Sequence, residues 1–261
     1  MFRYHTYSFP NHAIHKEKKE KKEKKEKESF SSLVEDITHS LPEYTPHVIT
    51  KCIFQTYHTI SRIPSDVFEN IAKYAPGYTH EVYDDAQCLA FLTQYFTERV
   101  CTTFTNMKDG AHKADLVRYA LLYVYGGVYL DIKTELILPM DEFVSQPVLY
   151  SVISSSKDHI YQGIIAAPPR LPIFLSLIQF MIDTGNPVDY HAFCKDFYRT
   201  VAKEIGSTPT PGAHGGYYLW EERCDRDTAQ CYDGLDRWGL CCFVWDGDRR
   251  IIKTRRASYP W

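Results

Sequence analysis

The sequence predicts an α/β fold built around a largely parallel central sheet. Short apolar, β-prone runs alternate along the chain with segments of helical periodicity, and Gly126-Gly127 joins one such helix to one such strand. Of the 261 residues, 44% are hydrophobic and 15% aromatic, a composition typical of a globular protein with a sizeable core. We therefore expect a single Rossmann-like domain with helices flanking the sheet.

The elements follow in a regular order. Asp84 and Asp85 precede a helical segment, and capping a helix is their commonest role, although a ligand-binding role is also open. Pro76-Gly77 and Pro139 mark turns between elements. The predicted helices span about 66–74, 85–97, 173–183 and 191–205, and the predicted strands span about 80–83, 148–153 and 163–167.

The most informative segment is Ala114–Lys133. Asp115 opens a run with apolar residues at three- and four-residue spacing, which predicts an amphipathic helix of about three turns. In this helix Asp115 lies near the positive N-terminal end and shares a face with Arg118. Gly126 is expected to end the helix with a positive φ.

A short buried strand follows the two glycines. Residues 128–130 are apolar and β-prone, and Asp131 comes directly after them. In open α/β sheets, ligands bind at the carboxyl ends of the strands. The sequence therefore places Asp131 at the edge of the sheet where a ligand site is expected.

The segment A-D-L-V-R-Y-A-L-L-Y-V-Y-G-G-V-Y-L-D-I-K resembles the DXD-containing region of glycosyltransferase family 32, which includes yeast initiating mannosyltransferases. Upstream, Ile49–Tyr57 is similar to the opening strand of that family, and the tail from Tyr217 resembles algal and large-virus members. The resemblance implies a GT-A fold and transfer of a hexose from a UDP- or GDP-sugar to a glycan or other hydroxyl acceptor, usually with retention. It also implies a divalent cation, Mn²⁺ or Mg²⁺, held by the DXD aspartates.

The resemblance also implies roles for particular residues. Asp115 and Arg118 would contact the sugar or ribose of the donor, and Asp131 would be the first DXD aspartate. Gln55 would lie near the nucleotide. The remaining candidates for donor binding are Tyr57, Gly127, Lys133 and His214.

Lys133 occupies the position of the last DXD aspartate, which puts the metal in doubt. On an extended strand, Asp131 and Glu135 would be about 13 Å apart, too far to share a cation with ligand distances of about 2.0–2.6 Å. A bend after Ile132 would bring them closer, but nothing in the sequence requires one. The simpler hypothesis is that Lys133 supplies part of the positive potential for the leaving diphosphate, whereas its structural role would be that of a solvated lysine on a strand. A weakly bound, hydrated cation on Asp131 alone stays open.

Structural roles compete with these functional ones. An Asp–Arg pair at three-residue spacing is often only an ion pair, and a Gly-Gly turn is a common connector. The order of these residues, with Gln55 upstream, favours a donor site. A non-catalytic nucleotide-sugar or glycan-binding protein and a nucleotide-sugar hydrolase are the rival functions, while no Walker-type loop or serine triad is present.

The loop at residues 208–216 is rich in proline and glycine. It is long enough to close over a donor, and His214 within it is a candidate contact for the diphosphate or a metal. A single histidine in a loop is more often simply exposed to solvent. Lys253, Arg255 and Arg256 near the end of the chain are further candidates for contacting phosphate.

The first 44 residues are predicted to form a charged extension, and residues 45–261 the domain. Residues 16–28 hold eight Lys and five Glu, so this run packs no core and is expected to be a solvated spacer or a single helix. The formal net charge of −3 gives no indication of nucleic-acid binding. No signal peptide or membrane span is visible, which favours a cytoplasmic location.

Four of the eight cysteines are close together in the sequence, at Cys224, Cys231, Cys241 and Cys242. None of them forms a C-x2-C pair, so a zinc ribbon is not expected. A disulfide would form in an oxidising compartment, whereas in the expected cytoplasmic location these thiols would stay reduced.

Overall fold

The structure of the protein is a computed structural model that describes residues 28–225 and 241–256. The helices are α1 (residues 28–37), α2 (Ser65–Tyr74), α3 (Asp85–Tyr95), α4 (Glu98–Asn106), α5 (Gly110–Tyr125), α6 (Pro172–Thr184) and α7 (Ala192–Ile205). The strands are β1 (Cys52–Thr56), β2 (Thr79–Tyr83), β3 (Gly127–Leu130), β4 (Glu135–Leu136), β5 (Leu149–Ile153), β6 (Ile160–Ala167), β7 (Gly212–His214), β8 (Tyr217–Asp225), β9 (Cys241–Asp246) and β10 (Arg249–Lys253).

The strands form one mixed sheet in the order β2-β1-β3-β6-β5-β8-β9-β10-β4, with β7 paired to β8. The predicted α/β fold is confirmed. Parallel pairing joins β1 to β2 and β3, and β5 to β8. The other pairings are antiparallel: β6 runs back between β3 and β5, each of the strands β7 to β9 pairs with the next strand along the chain, and β10 pairs with β4.

Side chains from the two faces of the sheet contribute to two hydrophobic cores. On β1, Phe54 packs into the core that contains helices α3 to α7, whereas Ile53 packs into the core that contains α2. On β3, Tyr129 joins the first core and Val128 and Leu130 join the second. This alternation is the period-2 pattern of a strand covered on both faces.

Helix α5 begins earlier than the sequence predicted. Asp109 caps it by accepting a hydrogen bond from the backbone N–H of Ala111 at 2.9 Å, and the helix runs from Gly110 to Tyr125. Asp115 is therefore more than one turn inside the helix, and its placement at the positive helix end was wrong. The earlier start was missed because residues 112 and 113 are polar, so they add nothing to the apolar pattern from which the helix was predicted.

The two glycines after α5 are required by the backbone. Gly126 has φ +64°, and a Cβ there would lie 2.6 Å from the ring of Pro169. Gly127 has φ +99°, and a Cβ there would lie 2.8 Å from the carbonyl oxygen of Cys52. Both positions combine a positive φ with close approach of neighbouring atoms, so the chain can pass from α5 into β3 without a loop.

The packed part of the chain begins before residue 45. Ile37, assigned to the extension by sequence, is fully buried in the core, and Pro42 accepts a hydrogen bond from Arg170 at 2.7 Å. The rest of the predicted lysine/glutamate spacer, apart from Glu28, lies outside the described residues. Within the described part of the chain, no helix has both the length and the apolar character needed to cross a bilayer.

The C-terminal strands contain a disulfide between Cys224 on β8 and Cys242 on β9. The expectation of reduced thiols was therefore wrong for this pair. The two residues face each other in the antiparallel register of β8 and β9, which brings their side chains together. Cys231 lies outside the described residues.

Candidate donor site

Four charged side chains meet at the carboxyl end of β3. Arg118 Nη2 lies 3.2 Å from Asp115 Oδ1 and 3.3 Å from Asp131 Oδ1. Lys133 Nζ lies 3.3 Å from the other carboxylate oxygen of Asp131. We call Asp115, Arg118, Asp131 and Lys133 the charged cluster. The structure thus brings together the residues that the sequence placed on one helix face and at one strand end.

The guanidinium of Arg118 is fixed from several directions. Its Nε donates to the carbonyl of Ala114 at 3.2 Å, its Nη1 donates to the carbonyl of Gln162 at 2.6 Å, and it stacks 4.4 Å from the ring centroid of Tyr129. Burial opposes the charge, but Tyr129, Asp115 and Asp131 keep the pKa of Arg118 above its usual range. Arg118 is therefore a preorganised, permanently charged group.

Asp115 is the buried acid of the charged cluster. Burial and the nearby Asp131 raise the pKa of its carboxyl to about 6, although Arg118 acts in the opposite direction. Asp131 and Lys133 are partly exposed, with 19% and 34% of their side chains accessible. A ligand entering from solvent would meet these two side chains first.

The extended strand expected for Asp131, Lys133 and Glu135 is wrong, because β3 ends at Leu130 and β4 begins only at Glu135. The backbone N–H of Thr134 donates to the carbonyl of Asp131 at 2.9 Å, so residues 131–134 form a tight turn. We call it the site turn. Because the chain reverses there, Lys133 folds back onto Asp131, and Glu135 pairs with Lys253 in the β4–β10 ladder.

The side chain of Gln55 contacts the backbone of the site turn. It is fully buried, its Nε2 donates to the carbonyl of Asp131 at 3.3 Å, and its Oε1 lies 2.8 Å from His80 Nε2. Burial lowers the pKa of His80, which favours the neutral imidazole as its partner. The structure therefore connects Gln55 to the backbone of the site turn.

The remaining predicted residues occupy different places. Gly127 is buried at the start of β3, where its backbone approaches Cys52. Tyr57 donates its backbone N–H to Tyr83 at 3.0 Å and its ring contacts His58. His214 lies on β7, where its Nε2 contacts the carbonyl of Thr210 at 2.7 Å. The predicted mobile loop at 208–216 thus contains a strand, and the described contacts of His214 are within its own hairpin.

The contacts that Gln162 and Arg256 make with the site were not predicted from the sequence. Gln162 on β6 accepts from Arg118 through its backbone and from the hydroxyl of Tyr119 through its side chain. Arg256 donates its backbone N–H to the carbonyl of Lys133 at 2.7 Å and its Nη2 to the carbonyl of Thr134 at 2.5 Å. Backbone acceptors leave no signature in a side-chain pattern. Arg256 was proposed to reach phosphate, but its described contacts are to the site turn and Asp66.

The charged cluster is poorly suited to a divalent cation. Each carboxylate oxygen of Asp131 is already paired with a positively charged side chain, one with Arg118 and the other with Lys133. Lys133 also stands where the motif has its second aspartate. A cation such as Mg²⁺ or Mn²⁺ prefers several oxygen ligands at about 2.0–2.6 Å. The described side chains of the charged cluster do not provide these oxygen ligands.

Residues 63–150 match the family described as a glycosyltransferase sugar-binding region containing a DXD motif. The match covers about a third of the chain and includes all four members of the charged cluster. The resemblance seen in the sequence is therefore confirmed for this region. Gln55 and Tyr57 lie upstream of it.

Individual relatives agree with this match. An uncharacterized glycosyltransferase, L373, of Acanthamoeba polyphaga mimivirus is 26% identical over 49% of this chain and 52% of its own length. The mannosyl phosphorylinositol ceramide synthase SUR1 of Saccharomyces cerevisiae is 29% identical over 56% of this chain and 38% of its own. The initiation-specific alpha-1,6-mannosyltransferase of Candida albicans is 33% identical over 36% of this chain and 25% of its own. The chain thus spans about half or less of each of these relatives.

Proposed function

We propose that this chain is a glycosyltransferase that moves a hexose, with mannose as the first candidate, from a nucleoside-diphosphate sugar to a hydroxyl group of a glycan. The observation that carries the proposal is the charged cluster, which lies at the carboxyl end of β3 inside the matched sugar-binding region. Mannose is proposed because relatives from two yeasts are named for mannose transfer. Retention of the anomeric configuration rests on the family resemblance alone.

The proposed chemistry is electrostatic. Cleavage of the bond between the anomeric carbon and the diphosphate places negative charge on the leaving group and positive charge on the sugar ring. Lys133, which is partly exposed, is positioned to move from Asp131 to the diphosphate, while Arg118 stays fixed by its backbone contacts. The carboxylates then face the sugar. Removing one such preorganised contact typically costs about 2.7–4 kcal/mol of transition-state stabilisation.

We further propose that Lys133 and Arg118 take the place of a metal in balancing the diphosphate charge. The two salt bridges to Asp131 support this view. Transfer should therefore persist in the presence of a chelator. Loss of transfer in chelator, with recovery after Mn²⁺ or Mg²⁺ is added, would contradict this part of the proposal.

We also propose that the protein functions in an oxidising compartment. The Cys224–Cys242 disulfide favours an oxidising compartment, against the cytoplasmic location expected from the sequence.

The test is nucleotide release from GDP-mannose, UDP-glucose and UDP-galactose, measured with and without an oligosaccharide acceptor. We expect acceptor-dependent release from one donor, and a loss of about 10²–10³-fold in Asp131→Asn. Asp141→Asn is the matched control, because Asp141 is an exposed carboxylate paired with Lys51 and Tyr78 outside the charged cluster. It should leave the rate unchanged.

Each alternative gives a different result in the same assay. Tight donor binding without release would favour a non-catalytic nucleotide-sugar-binding protein, in which Lys133 has disabled the motif. Release at the same rate with and without acceptor would favour a hydrolase. Full transfer by Asp131→Asn would show that the charged cluster is not the donor site.

A further inference from the structure

A second group of rings lies next to the charged cluster, between α5 and α7. Its members are His112, His159, Tyr190 and His191, which we call the aromatic rim. Neighbouring rings are 5.2–5.3 Å apart between centroids: His112 contacts Tyr190, Tyr190 contacts His191, and His191 contacts His159. The proposed transfer chemistry does not use any of them.

Tyr190 and His191 are the exposed members of the aromatic rim. About half of Tyr190, 53%, is accessible to solvent, which makes it one of the few large hydrophobic side chains exposed in the described residues. Its position is fixed, because His112 Nε2 lies 3.0 Å from the Tyr190 carbonyl oxygen. His112 in turn is buried and packs edge-on against Phe193 on α7. The ring of Tyr190 is thus held at the surface by a buried anchor.

The aromatic rim is connected to the charged cluster through helix α5. His112 and Asp115 are three residues apart on α5 and therefore share one face of that helix. Burial, followed by the charges of Asp109 and Asp115, raises the pKa of Tyr190 to about 12. A molecule resting on Tyr190 would therefore lie beside the proposed donor.

The chemistry of the aromatic rim suits a sugar. A pyranose has an apolar face, which packs on an aromatic ring, and an edge of hydroxyl groups, which hydrogen-bond to imidazole nitrogens. Burial lowers the pKa of His191 and favours a neutral imidazole that can both donate and accept.

We propose that the aromatic rim is the acceptor subsite, and that it binds a neutral saccharide with Tyr190 stacked on one sugar face. This inference rests on the proposed function, because it assigns the acceptor of the same reaction. It assigns the place where the glycan of that proposal binds, and preference for an inositol phosphate is an outcome that would contradict it.

The test compares Tyr190→Ala with Tyr190→Trp, using α-mannobiose as the acceptor. Loss of the ring should raise the acceptor KM roughly three- to tenfold and leave acceptor-independent donor cleavage unchanged. Tyr190→Trp restores an aromatic face and should keep the KM near that of the wild type. Val188→Ala is the matched control, because Val188 is fully exposed in the same connection between α6 and α7.

The outcomes separate this inference from the proposed function. An unchanged acceptor KM in Tyr190→Ala would overturn it, as would a higher rate with inositol 1-phosphate than with α-mannobiose. If the wild type releases nucleotide from no donor, the proposed function fails, and the subsite is then tested by saturation-transfer NMR with α-mannobiose alone. Saturation transfer that disappears in Tyr190→Ala supports the subsite, whereas transfer that persists, or none in the wild type, overturns it.

Discussion

Replacement of Asp115 by asparagine should change how the stability of the protein depends on pH. Burial raises the pKa of this carboxyl from 3.8 to about 6, even though Arg118 opposes the shift. Between these two values the folded state binds more protons than the unfolded state, so the free energy of unfolding falls as the pH rises. The stabilisation from protonated Asp115 is complete below about pH 4 and is lost once the pH has passed about 6.

The size of this effect follows from the shift. A rise from 3.8 to about 6 corresponds to a loss of about 3 kcal/mol in total, at about 1.4 kcal/mol per unit. Roughly half of that loss falls between pH 5 and pH 8, where unfolding is convenient to measure. Asparagine retains the shape of the side chain but does not titrate. The stability of Asp115→Asn relative to the wild type should therefore increase by about 1.5 kcal/mol from pH 5 to pH 8.

Urea unfolding at pH 5, 6, 7 and 8 and constant ionic strength measures this difference. Asp183→Asn is the control, because Asp183 is an exposed carboxylate on α6 whose contact is with Gln179. Its stability relative to the wild type should stay constant over this range. A constant difference for Asp115→Asn as well would refute the reasoning, since the carboxyl would then titrate alike in the folded and unfolded states.

Four other substitutions test the site and its support. Lys133→Asp restores the second carboxylate of the motif, so transfer should become sensitive to chelator, which a rate assay with and without Mn²⁺ would show. Gly126→Ala should destabilise the protein by roughly 1–3 kcal/mol in urea unfolding, because φ is +64° there and a Cβ would lie 2.6 Å from a proline ring. Tyr129→Leu removes the ring on which the donor-site guanidinium stacks, and donor affinity measured by calorimetry should fall by about 1–2 kcal/mol. Joint replacement of Cys224 and Cys242 by serine removes a cross-link of sequence separation 18 and should cost about 3 kcal/mol in urea unfolding. Transfer by Lys133→Asp that stays insensitive to chelator would contradict the first argument. An unchanged free energy of unfolding, or an unchanged donor affinity, would contradict the others.

The sequence was sufficient for the parts of the site that depend on local geometry. Asp115 and Arg118 meet because they are three residues apart on one helix, and Asp131 follows a short apolar strand that had to be buried. The capping role of Asp84 was also predicted from the sequence, and the structure confirms it as a capping box with Gln87. In each of these cases the interacting groups are close in sequence.

The parts that could not be predicted depend on distant segments. The site turn forms where Asp131 also donates its backbone N–H to Gly163 and where Gln55 holds its carbonyl. Neither partner lies within the motif, so the alternating charges looked like an extended strand. The extent of α5 was missed for another reason, since Asp109 and Gly110 carry no apolar periodicity even though one of them caps the helix.

The contacts of Arg256 with the site turn also bear on how the protein is synthesised. Strand β10 pairs with β4 directly after the turn, and Arg256 holds the carbonyls of Lys133 and Thr134 from more than a hundred residues away. During synthesis, residues 115–133 leave the ribosome long before Arg256 does. The nascent chain can therefore bury its first core while the turn still lacks its final restraints, and donor binding should mature only after residues 249–256 have emerged.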